Sequence, residues 1–367
     1  MSVSEQDTEW MKQALALARQ GQYSAKPNPS VGCVIVKNGE LIGEGWHKQA
    51  GQPHAEVNAL SDAGSKAIGA TAYVTLEPCS HTGRTGPCTS ALIEAKVSRV
   101  VIAMQDPNPL VAGAGIEILK AAGIELAVGL LEAEAMELNK SFCQRMQTAK
   151  PFVFSKVAMS LDGRTAMASG ESKWITGAEA RGDVHRLRAG SCAVLTGVAT
   201  VLADDPELTA RDGVEGLVVQ PLRIVLDSAL KTPVTAKIIG EQGGCSILTC
   251  SEDEVKKQAL EAKGCVVIKL PSYEGRVDLQ AAVDWLAEQN FNSVMVEAGN
   301  TLNGALLAAG LLDELEMYIA PCIMGNQAKG AFSLPTLDKM ADRKMLSLNN
   351  SKQLGDDLRL SYTIIKP

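Results

Sequence analysis

The chain has 367 residues, 46% of them apolar and 21% charged, with a formal net charge of −7. At roughly 100–200 residues per domain, that length points to two domains. The acidic balance argues against the broad basic footprint of a nucleic-acid binder, and no apolar run approaches the ~18–20 residues that span a bilayer.

The chain opens with Glu5, Asp7 and Glu9, which does not read as a secretory or mitochondrial leader. Trp10, Met11, Ala14, Leu15 and Ala18 then recur at helical spacing and predict an amphipathic helix. Residues 31–36 read as a strand, 37–40 as a hairpin turn and 41–46 as the returning strand. Pro53 is expected to open a helix, with His54 and Glu56 near its start. Residues 72–76 predict a strand that delivers Cys79, and Pro87 is expected to open a helix carrying Cys88. A helix start favours thiolate there. A strand at 97–104 and a helix at 115–122 continue the alternation, which implies a layered α/β domain. The polar segment 132–150 ends in Pro151, and the boundary is placed at about 146–151, dividing the chain into 1–147 and 148–367.

Beyond it, strands are predicted at 152–158, 193–196, 223–226, 246–249, 266–269, 294–297 and 315–320. Helices are predicted at 177–187, 253–262, 279–289 and 302–310. This is a second α/β domain with a mostly parallel sheet. Nine cysteines are present. Cys33, Cys192, Cys265 and Cys322 lie in apolar or small-residue runs and are expected to be inert core thiols. That usage fits a reducing cytoplasm.

The chemistry concentrates in His54-Ala55-Glu56, Pro78-Cys79 and Pro87-Cys88. One imidazole and two thiolates form a common catalytic zinc set, which keeps a fourth position for water. Glu56 need not be a ligand. Zinc deaminases use an H-x-E motif followed by P-C and a second Cys, with the Glu moving protons. Cys79 and Cys88 are further apart here than the usual P-C-x-x-C, and the insert carries Arg84. A structural zinc site completed by His81 or His47 is the alternative, but it leaves Glu56 unexplained.

The second domain has no metal set and no nucleophile with a base. After the strand at 294–297, Ala298-Gly299-Asn300-Thr301-Leu302-Asn303-Gly304 leads into a helix, a turn that can accommodate an anion or simply turn the chain. Ala305 stands where a P-loop has Lys, so this is not Walker A. Three further polar stretches exceed what packing needs: 156–164, 172–176 and 197–211.

Together these residues resemble the bifunctional riboflavin-biosynthesis deaminase–reductases of bacteria, over essentially the whole chain. In the first domain the resemblance rests on Asn28-Pro29-x-Val31-Gly32, Gly43-x-Gly45-x-His47, His54-Ala55-Glu56, the run from Glu77 to Cys88, and Asp106-Pro107-Asn108-Pro109. In the second it rests on Lys156 with Ser160-Leu161-Asp162-Gly163, Ser172-x-Trp174-Ile175-Thr176, the run from Gly197 to Thr209, and Glu297-x-Gly299. Ala298 replaces a Gly and Gly86 a Pro found in relatives.

The resemblance implies a cytidine-deaminase-like three-layer domain followed by a dihydrofolate-reductase-like α/β domain. It implies two consecutive reactions on a phosphorylated pyrimidine, a hydrolytic deamination with Zn²⁺ and a reduction of the ribosyl group with NADPH. By resemblance His54, Cys79 and Cys88 bind zinc and Glu56 is catalytic. Asn28, His47, His81 and Arg84 meet the first substrate. Ala158, Trp174, Thr200, Asp204, Ser228 and the turn Gly299, Asn300, Thr301, Leu302, Asn303 and Gly304 meet NADPH. Lys156, Ser172, Arg188, Leu208, Arg211 and Glu297 meet the second substrate. No nucleic-acid or membrane partner is expected, and a homo-oligomer, dimer or tetramer, is. The competing readings are a nucleic-acid base deaminase with an accessory domain and a zinc-stabilised binding protein.

Overall fold

The computed structural model describes residues 3–80, 86–109, 111–240 and 242–366. They form two compact units, Met1–Ala149 and Lys150–Pro367. No helix among the described residues is long and apolar enough to cross a membrane.

The first unit starts with α1 (Glu5–Gln20), closed by a capping box in which Ser4 and Asp7 each satisfy the other's backbone N–H. The strands are β1 (Gly32–Lys37), β2 (Glu40–Trp46), β3 (Thr71–Val74), β4 (Arg99–Ile102) and β5 (Glu125–Val128). They order as β2-β1-β3-β4-β5. The first three are antiparallel and the last three parallel. Asn38 and Gly39 turn β1 into β2 with φ of 53° and 79°, the left-handed pair that a two-residue hairpin needs.

Glycines set the layering. A Cβ at Gly32 would lie 2.0 Å from the Ala14 carbonyl oxygen of α1. Cβ atoms at Gly43 and Gly45 would lie 2.4 and 2.6 Å from backbone atoms of Ala59 in α2 (Ala55–Ala63). Cys33 pairs with Gly45, and its neighbour Gly32 points to the other face. So α1 and α2 sit on opposite faces of the sheet, giving three layers. Arg99 ties β4 to α1 through Asp7 at 2.7 Å, and Tyr73 of β3 donates to the same carboxylate at 2.7 Å. Burial works against the charge on Asp7, yet Arg99, Ser4 and Tyr73 hold its carboxyl well below the usual range.

Three expectations need correction here. Pro53 does not open α2: His54 is the N-cap, extended at φ −73° and ψ 167°, and Ala55 is the first helical residue. The Pro53 carbonyl instead accepts from His47 Nδ1 and from Asn58. The polar segment at 132–150, for which no helix was expected, is helical. After α3 (Cys88–Glu94) and α4 (Ala114–Ala121) it forms α5 (Glu132–Leu138) and α6 (Lys140–Thr148), each presenting little more than one buried residue. Cys322 is exposed and Cys192 half-buried, so only Cys33 and Cys265 of that group are core thiols.

The second unit holds a nine-stranded sheet. Its strands are β6 (Phe152–Ser160), β8 (Ala193–Gly197), β9 (Leu222–Leu226), β10 (Cys245–Thr249), β11 (Cys265–Lys269), β14 (Ser293–Val296), β15 (Glu314–Ala320), β17 (Leu346–Leu354) and β18 (Asp357–Ile364). Small ribbons pair β7 (Arg164–Ala166) with β16 (Lys329–Gly330) and β12 (Ser272–Tyr273) with β13 (Arg276–Val277). The order is β11-β10-β9-β8-β14-β6-β15-β18-β17, parallel as far as β15 and antiparallel beyond. Alternate residues enter two cores: Val294 and Val296 one, Met295 the other. Burial on both faces explains the unbroken apolar runs that made these strands readable. The helices are α7 (Ala178–Gly190), α8 (Val198–Asp204), α9 (Glu254–Glu261), α10 (Leu279–Glu288) and α11 (Asn300–Ala308). The hairpin of β17 and β18 and helix α8 were not foreseen.

Candidate active sites

Three ligand atoms converge in the first unit. His54 Nδ1 lies 3.3 Å from Cys88 Sγ and 3.6 Å from Cys79 Sγ, and all three atoms fall within 4.8 Å of one another. A tetrahedral zinc with bonds of about 2.0–2.3 Å requires donors roughly 3.5 Å apart, so the set fits the metal. His54 comes from the α2 N-cap and Cys88 from the first residue of α3. Cys79 lies on the irregular segment after β3. The backbone N–H of Cys88 donates to Cys79 Sγ at 3.3 Å, so the two thiol segments are locked together. The bond to Cys88 draws the Cys79 thiol down, and the bond to Cys79 together with burial pushes Cys88 up. Glu56, 3% exposed, sits in the first turn of α2 beside them. Burial lifts its carboxyl to about 7.

Two surrounding devices hold this arrangement. Glu77, just before Pro78-Cys79, accepts backbone N–H bonds from Asp106 (3.1 Å), Gly113 (3.0 Å), Gly115 (2.9 Å) and Ile116 (3.3 Å). It thereby grips the loop bearing Asp106-Pro107-Asn108-Pro109 and the start of α4. On the other side His47 Nδ1 donates to the Pro53 carbonyl at 3.2 Å, leaving Nε2 to accept from Asn28 at 3.0 Å. Burial lowers the His47 pKa and keeps the ring neutral. Its ring meets that of His54 edge-on at 5.2 Å.

In the second unit the chain leaves β6 for β8 through β11, then returns to insert β14 between β8 and β6. Ligands of open α/β sheets bind at the strand carboxyl ends at such a switch point. Glu297 follows β14 there. Arg188 of α7 grips its carboxylate with two bonds, 2.5 and 3.0 Å, and Lys156 Nζ of β6 lies 3.8 Å away. Burial pushes the Glu297 carboxyl up, but Arg188 and Lys156 outweigh it and hold it low. Burial lowers the Lys156 pKa. Helix α11 begins beside this trio, with Gly299 as N-cap and no side-chain cap. Its first N–H groups are thus open to an anion.

Residues 4–104 match the cytidine and deoxycytidylate deaminase zinc-binding region, and residues 151–360 the RibD C-terminal domain. The riboflavin biosynthesis protein RibD of Escherichia coli is 50% identical over 97% of this chain and 98% of its own length. That of Haemophilus influenzae is 48% identical over 99% of both. The chain belongs to the RibD family. An Acinetobacter baumannii RibD structure superposes with a TM-score of 0.91 at 47% identity, over 99% of both chains. A Thermotoga maritima deaminase/reductase gives 0.86 at 33%, over 98% of this chain and 99% of that one. The resemblance read from the motifs is therefore borne out, and the other two readings are set aside. RibD proteins are bifunctional enzymes of riboflavin biosynthesis, with a zinc-dependent deaminase half and an NADPH-using reductase half.

Several expected contacts change on this frame. Asn303 is buried; its amide accepts from Ser155 Oγ at 2.9 Å and donates to the Ala298 carbonyl at 3.0 Å. A Cβ at Gly304 would lie 2.1 Å from the Ser333 carbonyl oxygen. These two residues dock α11 on its own domain, against Ser155, Ala298 and Ser333. Leu302 packs towards Gly197, and the Leu208 side chain is buried in the core, so Leu208 has only its backbone to offer. Ser228 Oγ accepts from Val277 N at 3.0 Å, and Asp204 takes Lys173 at its carbonyl, 3.1 Å. Arg211 pairs with Glu207 and donates to Thr209 Oγ1. Trp174 is 73% exposed with Arg181 4.8 Å above its ring. Ala158, Ser172 and Thr200 are half-buried. His81 and Arg84 lie outside the described residues. Sequence reasoning passed over Asn139, which bonds Ser30, and His185, whose Nδ1 meets the Thr209 carbonyl at 3.2 Å. Neither has a local motif.

The two glycines of the turn should separate cleanly. Gly304→Ala is expected to lower the melting temperature of the second unit, because its Cβ collides with backbone. Gly299→Ala, whose Cβ meets nothing within 4 Å, should melt as the wild type does, with any loss confined to NADPH affinity. Thermal unfolding of both variants decides; a destabilised Gly299→Ala beside an unaffected Gly304→Ala would contradict this packing.

Proposed function

We propose that the chain deaminates a 2,5-diamino-6-(phosphoribosylamino)pyrimidinone and then reduces the ribosyl group of the product to ribityl. The observation that carries this reading is the convergence of His54, Cys79 and Cys88 beside the buried Glu56. The Thermotoga relative, named for a diaminohydroxyphosphoribosylaminopyrimidine deaminase and a 5-amino-6-(5-phosphoribosylamino)uracil reductase, supports the choice of substrate.

In the first step His54, Cys79 and Cys88 hold the metal. Zinc, when bound, supplies a water whose pKa is lowered to about 7. Glu56 moves two protons: the first from the attacking water to a ring nitrogen, the second from the added hydroxyl to the amino group, which leaves as ammonia as the carbonyl forms. A carboxyl that burial lifts to about 7 can accept and release each proton near neutral pH. Asn28 and His47 orient the pyrimidine, and His81 and Arg84 meet its phosphate.

In the second step NADPH supplies the hydride. Gly299, Asn300 and Thr301 present backbone N–H groups to its phosphates, and Ser228 is the polar group for its 2′-phosphate. Ala158, Trp174, Thr200 and Asp204 line the remainder of that cleft. Lys156, steadied by Glu297, polarises the carbonyl of the opened sugar. Its depressed pKa favours release of a proton to the new hydroxyl. Ser172, Arg211 and the Leu208 backbone complete the substrate side. Two thiolates that must stay unoxidised suit a reducing cytoplasm.

We also read the enzyme as a homo-oligomer. The first eight residues of edge strand β17 are all exposed, Leu348 at 55%. A long bare edge invites a second copy. Sedimentation velocity should show a dimer or tetramer that Leu348→Asp dissociates; a wild-type monomer at micromolar concentration would contradict it.

Assaying each half-reaction alone tests the main reading. Glu56→Gln should lower deamination by ~10²–10⁴-fold while zinc stays near one per chain. Cys79→Ser should lose zinc and deamination yet keep reduction of supplied deaminated intermediate. Zinc loss in Glu56→Gln, or loss of reduction in well-folded Cys79→Ser, would overturn the assignment.

A further inference from the structure

Asn139 stands at the junction of α5 and α6, in the polar segment where sequence alone marks no helix. It is the N-cap residue of α6, a position where Asn normally accepts a helix N–H with its side chain. No such bond is made. The side chain, on a residue only 5% exposed, turns to Ser30 instead. Oδ1 accepts from Ser30 N at 2.8 Å and Nδ2 donates to the Ser30 carbonyl at 3.0 Å. The amide thus copies one rung of an antiparallel pair and clamps a single loop residue 109 positions away.

That loop carries Asn28. The Pro53 carbonyl can only accept, so His47 Nδ1 carries the proton and Nε2 is the acceptor for Asn28. This fixes which end of the Asn28 amide is donor and which acceptor. Asn139 thus holds Ser30, two residues along the backbone from Asn28, and Asn28 bonds His47, whose ring stands edge-on to His54. Buried polar groups left unpaired are costly, so releasing the Ser30 peptide groups would let the loop move towards solvent.

We propose that Asn139 is a positioning residue of the deaminase half, setting the Asn28 loop and through it the affinity for the pyrimidine. The proposal rests on the reading that Asn28 and His47 line the pyrimidine pocket. It predicts a larger effect on binding than on chemistry, because the clamp makes no hydrogen bond to His54, Glu56, Cys79 or Cys88 and approaches them only through the His47 ring.

Steady-state deamination by the full zinc-loaded chain tests it, with Asn139→Ala, Asn139→Asp, Asn28→Ala and the Asn28→Ala/Asn139→Ala double variant. The aspartate variant keeps the size and the acceptor for Ser30 N–H but, assayed above neutral pH, loses the donor; it guards against a folding failure of the alanine variant. Asn139→Ala should raise KM by about tenfold, with kcat within about threefold. Zinc content and the reductase half-reaction should stay at wild-type values. Asn139→Asp should shift KM in the same direction. The double variant should bind no worse than the weaker single variant, because both changes release the same loop. If Asn28→Ala raises KM while folded Asn139 variants keep the wild-type value, the proposal alone falls. It falls too if the two effects multiply, or if Asn139→Ala loses zinc. If Asn28→Ala leaves KM unchanged, the pocket assignment falls and the proposal with it.

Discussion

Helix α2 rests directly on the backbone of β2, and the deaminase centre depends on that approach. With a Cβ at Gly45, three atoms of α2, including Ala59 N and the Ala55 carbonyl oxygen, would lie within 2.7 Å. Close-packed interiors tolerate no such overlap, so any larger residue would push the helix outward. His54 is the cap of that helix and Glu56 lies in its first turn. A shift of α2 by even an ångström would carry His54 away from Cys79 and Cys88, which the sheet and α3 hold independently. The metal set is thus assembled from two sides, and the glycines make the sides meet.

The second unit solves a different problem. Its cleft needs charge at a strand end where the sheet is buried on both faces. Burying Glu297 alone would be costly. Arg188 neutralises it with two parallel bonds, and the nearby Lys156 adds a second positive group without a second bond. Arg188 also donates to the Thr209 carbonyl at 3.2 Å, so the trio is stitched to the segment carrying Leu208 and Arg211. Deeper in the unit, Asp183 accepts from Tyr318 at 2.7 Å and from Arg359 at 2.9 Å, tying α7 to β15 and β18. That network fixes the helix on which Arg188 rides. The Lys156 ammonium lies 5.9 Å above the Tyr318 ring, so the same tyrosine backs the lysine.

Short-range chemistry was readable from sequence and long-range bonding was not. His54-Ala55-Glu56 and the two Pro-Cys pairs announce themselves because ligand types and spacing carry the meaning. The central strands of the second unit do so because burial on both faces demands unbroken apolar runs. Helices α5 and α6 bury almost nothing, so no apolar period marks them. The bonds from Glu77 to the loop ahead of α4, and from Asn139 to Ser30, span 29–39 and 109 positions. Nothing near either residue foretells its partner. Gly304 shows the same limit: it stands in a turn-like run, and the close approach that its smallness permits, to Ser333, is not visible in that run.

The central claim is that three protein atoms hold the zinc and the fourth position is left to solvent. X-ray absorption at the zinc edge of the loaded protein tests it directly. The account predicts two sulfurs at about 2.3 Å and two nitrogen or oxygen neighbours at about 2.0–2.1 Å, with outer-shell scattering from one imidazole only. Scattering from two imidazoles, with no solvent ligand, would mean four protein donors. The site would then be structural, and the catalytic role given to Glu56 would be wrong.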